Sequence, residues 1–202
     1  RGGMPSDLAF RGWDDEEFTK LFGDFAVAFL DRYADVVDYV EIGNEVNAYF
    51  GRHPGEIGPY RAFFEKVHGR LKAKHPRVGV GIVFAWSEMK TEADREAYRR
   101  LAIGDHDGFT LYHFGDDFAH TMKPSVILAS LKEIEKLTGT RRFALEEVGW
   151  SPWPGLKGSE ADQASAVGFF FDYLEKAPDR LEFMTWYTLH DGNEADYAKI
   201  VR

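Results

Sequence analysis

The stretch Val78-Gly79-Val80-Gly81-Ile82-Val83-Phe84-Ala85-Trp86 decides the fold class of this chain. An uncharged, apolar run that is rich in Val and Ile predicts a β-strand. Side chains alternate between the two faces of a strand, and here the two faces differ in size. The small face comprises Gly79, Gly81, Val83 and Ala85, and the bulky face comprises Val78, Val80, Ile82 and Phe84. We expect the small face to line a crowded interior and the bulky face to pack against covering helices.

Strand and helix patterns alternate on both sides of this stretch. Five strands are predicted, at residues 38–46, 78–86, 109–115, 142–149 and 181–189, with helical patterns between them. Helical connections between successive strands imply parallel pairing and right-handed crossovers.

The first helix is predicted at residues 15–33. Asp14 is its expected N-cap, and Glu17 completes a capping-box pattern. Apolar residues recur at helical spacing and predict a buried stripe. That stripe comprises Phe18, Leu21, Phe22, Phe25, Phe29 and Leu30.

Two α/β architectures fit this order of elements, an open doubly wound sheet and a (β/α)8 barrel. A doubly wound sheet usually carries a Gly-rich nucleotide-binding turn, and neither GxGxxG nor GxxxxGK[ST] occurs here. Candidate functional residues instead end several strands, which favours a barrel. A complete barrel usually takes about 250 residues, whereas this chain has 202 residues and five predicted strands. We therefore predict an incomplete (β/α)8 TIM barrel that covers strands 4 to 8. Residues 1–202 would be one catalytic-type domain without β/α units 1 to 3.

Charge and composition argue against several classes of partner. The formal net charge is −9 and basic residues are dispersed among acids, so neither nucleic acid nor an anionic membrane surface is an expected partner. The absence of cysteine excludes disulfides, thiolate catalysis and Cys-ligated zinc. Aromatic residues make up 15% of the chain, which suits a site that stacks flat ligand faces, although most Phe residues belong in a core. The sequence indicates neither the oligomeric state nor the cellular location.

Two strand ends carry carboxylates. Ile42-Gly43-Asn44-Glu45 ends the first strand, and Glu146-Glu147-Val148-Gly149-Trp150 ends the fourth. Two carboxylates that different parallel strands bring to one end of a barrel are what cleavage of a glycosidic bond requires. Taken alone, Glu45 is equally compatible with a strand-end carboxylate that caps the next loop. Strand parity favours Glu147 over Glu146 as the residue that enters the site.

These residues resemble the retaining glycoside hydrolases of clan A, a superfamily of (β/α)8 barrels. Asn44-Glu45 resembles the signature that ends strand 4 in that clan, and Glu147-Val148-Gly149-Trp150 resembles the Glu-x-Gly-Trp pattern that ends strand 7. Trp186 resembles the strand 8 Trp that floors the sugar site. The resemblance spans essentially the whole chain. It implies hydrolysis of β-glycosidic bonds in oligo- or polysaccharides by double displacement, with a carbohydrate as the partner and no cofactor.

The resemblance also implies a role for each residue. Glu45 would be the general acid/base and Glu147 the nucleophile. Asn44 would hydrogen-bond the sugar 2-hydroxyl, Tyr112 would hold the nucleophile carboxylate, and Trp186 would stack on the sugar ring. A retaining mechanism requires the two carboxyl groups to be about 5–5.5 Å apart.

Other candidate substrate contacts are less specific. His113 is a candidate because a register error of one residue exchanges it with Tyr112. Trp150 is a candidate outer sugar contact, as are Trp86 and Trp153, because they end strands or lie in loops. Each Trp is also compatible with packing a loop.

No metal site is expected from the sequence. An HExxH motif is absent, and His106, His113 and His120 recur at intervals of seven residues. A strand and a loop are predicted between them, so they are not expected to converge. Glu41 shares the parity of Glu45 and is interpreted as a structural interior carboxylate.

Two rival interpretations stay open. The first is a non-catalytic carbohydrate-binding barrel or an inactive fragment of a glycosidase, and the second is an unrelated barrel enzyme such as a lyase or aldolase. An aldolase would need a strand-end Lys, which the predicted strands do not carry. The chain also offers no counterpart of the strand 2 Arg and strand 3 His that clan members supply.

Overall fold

The structure is a computed structural model, and it describes residues 11–115 and 117–188. The α-helices in these ranges are α1 Glu16–Tyr33, α2 Val46–Phe50, α3 Ile57–Lys74, α4 Glu92–Leu101, α5 Val126–Thr138 and α6 Glu160–Leu174. The strands are β1 Tyr39–Glu41, β2 Gly79–Ala85, β3 His106–Leu111, β4 Arg142–Val148 and β5 Leu181–Trp186. None of the described helices is long and apolar enough to cross a lipid bilayer.

The five strands are parallel and are hydrogen-bonded in chain order, β1-β2-β3-β4-β5. This arrangement confirms the predicted alternation of strands and helices and is consistent with part of a (β/α)8 barrel. The chain divides into two compact units. Unit 1 contains residues 1–84 and 91–108, and unit 2 contains residues 85–90 and 109–202, so that β3 begins in the first and ends in the second.

The first strand is shorter than its sequence pattern predicts. β1 ends at Glu41, and residues predicted as strand end and loop form the short helix α2. The backbone next to β1 still pairs with β2, since the Ile42 N–H donates to the Gly81 carbonyl at 2.9 Å. Gly43 then turns the chain away from the ladder with a φ of +109°. A Cβ at Gly43 would lie 2.6 Å from Cγ1 of Val46, so only glycine fits this bend.

Helix α1 differs from the prediction in its cap and in its buried face. The N-cap is Asp15 rather than Asp14, because the Asp15 carboxylate accepts a hydrogen bond from the Phe18 N–H at 2.7 Å. Phe18 and Leu30 of the predicted stripe are buried. Three other members are exposed, by 42% for Leu21, 67% for Phe25 and 39% for Phe29. The expectation that the whole stripe is buried is therefore wrong. α1 packs on α3 along one side only, where the rings of Phe18 and Phe63 stack at 5.2 Å.

The small face of β2 accommodates a carboxylate and an imidazole of unit 1. His106 is 1% exposed, and its ring is hydrogen-bonded to the carboxylate of Glu41. A Cβ at Gly81 would lie 2.6 Å from Nε2 of His106 and 2.7 Å from Oε2 of Glu41. Glycine therefore leaves the space that the pair fills, as expected for a small face in a crowded interior. The pair also agrees with the interpretation of Glu41 as a structural carboxylate.

Unit 2 pairs β4 with β5 and packs α5 against α6. Val148 lies opposite Trp186 in the parallel register, and irregularities interrupt the register on both sides of Leu145. Helix α6 starts at the predicted place, since Ser159 is its N-cap and its hydroxyl accepts a hydrogen bond from the Asp162 N–H at 3.1 Å. The apolar residues that the two helices bury completely are Ile127, Leu131, Ile134, Ala166 and Phe170.

We expect Gly81→Ala to lower the free energy of unfolding by about 1–3 kcal/mol, because the added methyl group overlaps the Glu41–His106 pair. Gly69→Ala is the matched control, since an added Cβ at this position of α3 meets no atom within 4 Å. Alanine in a helix interior is more stable than glycine by up to about 1 kcal/mol. Chemical denaturation measures both variants, and equal losses of stability would contradict the role given to Gly81.

Candidate active site

The predicted acid/base residue follows β1 in unit 1. Asn44 and Glu45 form the bend between Gly43 and α2, with Asn44 exposed and Glu45 half-buried. Tyr60 of α3 holds the start of this bend, because its buried hydroxyl donates a hydrogen bond to the Ile42 carbonyl. Burial raises the pKa of the Tyr60 hydroxyl, so that it stays protonated and remains a donor.

Glu45 has a left-handed backbone, with φ +49° and ψ +39°. Only two other non-glycine residues of the described chain, Phe118 and Lys157, have a positive φ. This conformation costs a residue with a Cβ about 1–2 kcal/mol, and strained residues of this kind cluster at functional sites. The side chain of Glu45 makes no capping hydrogen bond to α2.

Unit 2 brings Glu147 and Tyr112 together. Tyr112 directly follows the last residue of β3, and Glu147 is the penultimate residue of β4. The Tyr112 hydroxyl donates a hydrogen bond to Oε2 of Glu147 at 2.9 Å. This is the contact that the resemblance implies for the two residues. A hydrogen bond from a phenol to one carboxylate oxygen fixes the orientation of the Glu147 carboxylate.

Gly149 lets the Tyr187 backbone and the Tyr112 ring come close to the chain just after β4. The Tyr187 N–H donates to the Val148 carbonyl at 2.8 Å. A Cβ at Gly149 would lie 2.5 Å from the carbonyl oxygen of Tyr187 and 3.3 Å from the ring of Tyr112. Glycine is therefore required where the end of β5 and the Tyr112 ring meet the end of β4.

The predicted sugar platform, Trp186, packs against a helix. Its ring meets the ring of the buried Phe170 of α6 edge to face, with centroids 6.1 Å apart and an interplanar angle of 84°. Tyr187 directly follows β5, which ends at Trp186. Tyr187 is 57% exposed. Tyr187 is not among the residues predicted for the site, since the sequence pattern placed it inside a strand over residues 181–189.

Trp150 is buried beneath a histidine rather than exposed to a ligand. The indole of Trp150 is 4% exposed, and the His120 ring stacks on it at 4.1 Å with an interplanar angle of 5°. The Gln163 side-chain amide also donates to the Trp150 carbonyl at 2.9 Å, which ties this loop to α6. These contacts correspond to the second of the two alternatives for Trp150, packing of a loop.

His113 and His120 do converge, contrary to the sequence-based expectation. β3 ends at Leu111, and the chain turns back so soon that the Thr121 N–H donates to the His113 carbonyl at 3.1 Å. The ring of His113 lies 6.4 Å from that of Trp150. Burial, together with the nearby His120, lowers the pKa of His113 to about 4. His113 is therefore an uncharged imidazole beside Tyr112 at neutral pH.

A groove of about 290 Å³ adjoins Tyr112 in unit 2. Its lining combines aromatic and thioether side chains with a few polar groups, which include Lys90 and Glu133. The apolar part of the lining consists mainly of Trp86, Met89, Tyr112, Phe114 and Met122. A groove of this lining offers ring faces for stacking and polar groups at its sides, which is the chemistry that binds a sugar or another ring.

Glu41 and His106 of unit 1 are of residue types that can bind metal ions. Their carboxylate and imidazole are hydrogen-bonded to each other. A hydrogen bond to a carboxylate orients an imidazole and fixes its tautomer.

No family model matches the sequence, and no curated protein matches it. Solved structures do match the backbone. β-Glucuronidase 2 of Bacteroides uniformis, solved covalently bound to cyclophellitol-6-carboxylate aziridine, is 13% identical with a TM-score of 0.64, and the match covers 90% of this chain and 23% of that chain. The β-glycosidase BGL167 is 13% identical with a TM-score of 0.56, covering 88% and 58%. The GH53 catalytic domain of Ignisphaera aggregans is 15% identical with a TM-score of 0.55, covering 90% and 56%.

The chain spans less than a quarter of the Bacteroides uniformis enzyme and less than three fifths of the other two. At identities of 13–15% the likeness shows the fold. The chain therefore has an α/β fold that occurs in glycoside hydrolases.

We expect the buried, uncharged His113 to make folding stability depend on pH. The pKa of His113 is about 4 in the folded protein and about 6.5 in an unfolded chain. The unfolded state therefore binds more protons between these values, so stability is fully present above about pH 6.5 and falls as the pH drops toward 4. Urea denaturation at several pH values should show a shallower decline for His113→Leu. A His113 imidazole that titrates near pH 6.5 in a nitrogen-15 NMR titration would contradict this expectation.

Proposed function

We propose that this chain belongs to a β-glycoside hydrolase of clan A that retains anomeric configuration, with Glu147 as nucleophile and Glu45 as general acid/base. The observation that carries the proposal is the hydrogen bond from Tyr112 to Glu147 at the ends of two parallel strands. A carboxylate at a strand end, held by a phenol donor from the neighbouring strand, suits attack on an anomeric carbon. The proposed substrate is a β-linked oligo- or polysaccharide.

In the first step the Glu147 carboxylate would attack the anomeric carbon while the bond to the leaving oxygen breaks. Glu45 would donate its proton to that oxygen. In the second step water would attack the anomeric carbon of the glycosyl ester, Glu45 would accept the proton of the water, and Glu147 would leave as carboxylate. Tyr112 would stabilise the charged form of Glu147 before attack and after release. Asn44, the exposed neighbour of Glu45, would hydrogen-bond the sugar 2-hydroxyl.

The fold of the structural neighbours supports this assignment. The covalent aziridine complex of the Bacteroides uniformis β-glucuronidase is in keeping with a covalent step on this fold. We propose that β1 to β5 correspond to strands 4 to 8 of an eight-stranded barrel, and that residues 1–202 belong to one catalytic-type domain. Because the chain spans only part of these neighbours, its activity and its substrate are part of the proposal.

Tyr187 replaces Trp186 in the proposed sugar site. Trp186 packs against Phe170, whereas Tyr187 is exposed and its backbone lies against Gly149, two residues beyond Glu147. An exposed ring on a residue whose backbone adjoins the strand end that carries Glu147 suits stacking on an apolar sugar face. His113 would contribute as an uncharged neighbour of Tyr112, and Trp150 would stabilise the loop after β4.

We expect Glu147→Gln to abolish both hydrolysis and covalent labelling, because the amide cannot attack the anomeric carbon. The protein in its natural length would be incubated with a panel of cyclophellitol aziridines of different sugar configuration, and labelled peptides would be identified by mass spectrometry. Hydrolysis of aryl β-glycosides should fall by about a thousandfold or more. Glu146→Gln is the matched control, because it changes the adjacent carboxylate and leaves residue 147 intact.

Glu45→Ala should separate the acid/base role from the nucleophilic role. Removing a general acid costs about 10²–10⁴-fold, but a 2,4-dinitrophenyl leaving group departs without protonation. The hydrolysis rate of Glu45→Ala should therefore fall strongly for alkyl β-glycosides and much less for the dinitrophenyl glycoside. Two results would refute the assignment: labelling at a residue other than Glu147, or unchanged rates in both Glu variants. Binding of a carbohydrate without any turnover would favour the non-catalytic carbohydrate-binding barrel.

We expect Tyr187→Ala to impair catalysis and Trp186→Ala to impair folding stability. Tyr187→Ala should lower kcat/KM by about 2- to 10-fold, in line with about 0.5–1.5 kcal/mol for a stacked ring, and should leave thermal stability nearly unchanged. Trp186→Ala should destabilise the protein by about 3–5 kcal/mol, since it removes a packed ring. Steady-state kinetics with an aryl β-glycoside and thermal denaturation measure the two effects. If Trp186→Ala instead lowers kcat/KM and Tyr187→Ala instead lowers stability, Trp186 is the ring that stacks on the sugar.

A further inference from the structure

The groove beside Tyr112 lies on one side of the strand that carries Glu147. Its described lining residues all belong to unit 2. They come from the segments that follow β2 and β3 and from α5, and β4 and β5 contribute none of them. In the sheet β4 lies between β3 and β5. The groove therefore adjoins the β3 side of β4, whereas Tyr187 follows β5 on the other side.

Three aromatic side chains lead away from Glu147 along the segment after β3, and we call them the aromatic row. They are Tyr112, Phe114 and Phe118. The Tyr112 hydroxyl donates to Glu147, and the Tyr112 ring stacks on the Phe114 ring, with centroids 5.4 Å apart and an interplanar angle of 12°. The ring of Phe118, a residue that is 50% exposed, lies 6.5 Å from that of Phe114. The row offers ring faces on which a flat ligand can stack.

Backbone hydrogen bonds fix the loop that carries the outer part of the aromatic row. The Gly115 N–H donates to the Ala119 carbonyl, and the Phe118 N–H donates to the Gly115 carbonyl, both at 2.9 Å. Phe118 has a left-handed backbone with a φ of +58°, and non-glycine residues held in this region cluster at sites that clamp ligands. A loop that is ordered in advance loses little conformational entropy when a ligand binds.

The lining of the groove favours an uncharged apolar ring over a sugar. Its apolar part includes the side chains of Trp86, Met89 and Met122. The described lining residues include no Asp, Asn, Gln or Arg, which are side chains that can make two hydrogen bonds to neighbouring sugar hydroxyls. Lys90 and Glu133 carry opposite charges, so that no net charge selects an anionic or a cationic ligand.

The size of the groove limits what it can hold. Its volume of about 290 Å³ lies at the lower end of the range of ligand pockets, about 300–1,000 Å³. One ring or two fused rings suit this volume, whereas a chain of several sugars does not.

We propose that the groove binds a planar, uncharged aromatic ring that is the leaving group of the substrate. This assignment rests on the proposed function, in which Glu147 attacks the anomeric carbon and Tyr187 stacks on the sugar. With the sugar on the β5 side of Glu147, the group beyond the scissile bond lies on the β3 side, against Phe114 and Met122. The substrate is thus a saccharide whose anomeric carbon is joined through oxygen to an aryl group. When that carbon–oxygen bond breaks, the oxygen takes the proton of the general acid and an aryl alcohol leaves.

Calorimetric titration of the protein in its natural length with 2-naphthol, an uncharged bicyclic aryl alcohol, tests the groove without turnover. Met122→Asp should weaken binding by about tenfold or more, because it puts a charge into an apolar contact. Phe171→Asp is the matched control, because Phe171 on α6 has a similar exposure, 61% against 55% for Met122, and does not line the groove. It should change the affinity by less than about twofold.

Three results of this titration would overturn the proposal. The first is no binding of 2-naphthol, and the second is an equal effect of Met122→Asp and Phe171→Asp. The third is binding of cellobiose that Met122→Asp weakens as much as it weakens binding of 2-naphthol, since the groove would then be a second sugar subsite.

Peroxide oxidation of the unsubstituted protein decides the matter where Met122→Asp fails to fold. Saturating 2-naphthol should slow the oxidation of Met122, read by mass spectrometry, by about threefold or more, because the ring covers the exposed thioether. Met184 of β5 lies outside the groove and is the internal control. Oxidation of Met122 at the same rate with and without 2-naphthol would overturn the proposal.

Steady-state kinetics test the assignment of the ring to the leaving side. Met122→Asp should lower kcat/KM by about tenfold for a 2-naphthyl β-glycoside and much less for the methyl β-glycoside of the same sugar. Equal losses for the two glycosides would overturn the assignment. If 2-naphthol binds and protects Met122 but neither glycoside is hydrolysed, the proposed function fails and the ring-binding site is confirmed. Hydrolysis without binding of 2-naphthol would overturn the ring-binding site alone.

Discussion

The parallel pairing of β4 with β5 is the constraint on which the candidate site in unit 2 depends. Parallel neighbours end at the same edge of a sheet, so the pairing of Val148 with Trp186 brings the residues after them together. Gly149 then permits contact with the Tyr187 backbone and the Tyr112 ring. The ladder sets the end of β5 beside the end of β4, and Tyr112, which follows β3, reaches Glu147 through its hydroxyl.

The sequence was sufficient for the order of elements and for the contact between Tyr112 and Glu147. Periodicity identifies helices, strand composition identifies strands, and both residues stand at strand ends whatever the exact register. The assignment of Trp186 as a platform follows from the family resemblance and stays a prediction. The register of β4 and β5 is irregular between Phe143 and Leu145 and again between Leu145 and Val148. Such irregularities change which side chains share a face, and a single sequence does not reveal them.

Helix α1 and the two histidines show a second limit of sequence patterns. Helical spacing identified Phe25 and Phe29 as members of an apolar stripe, but spacing does not say which neighbour covers each part of it. The seven-residue interval between His113 and His120 suggested separation because a long strand was assumed. The strand ends at Leu111, and a tight turn follows. In both cases the deciding information was where an element stops or what lies beside it, which depends on tertiary contacts.

The end of β1 carries two left-handed residues for different physical reasons. At Gly43 the conformation is free of cost, because glycine has no Cβ and a larger residue would collide with Val46. At Glu45 the conformation has a cost that glycine or asparagine would largely avoid. A carboxylate that merely capped α2 would recover some of that cost through a hydrogen bond to the helix, and Glu45 makes no such bond. A capping role at α2 therefore does not offset the cost of the left-handed conformation at Glu45.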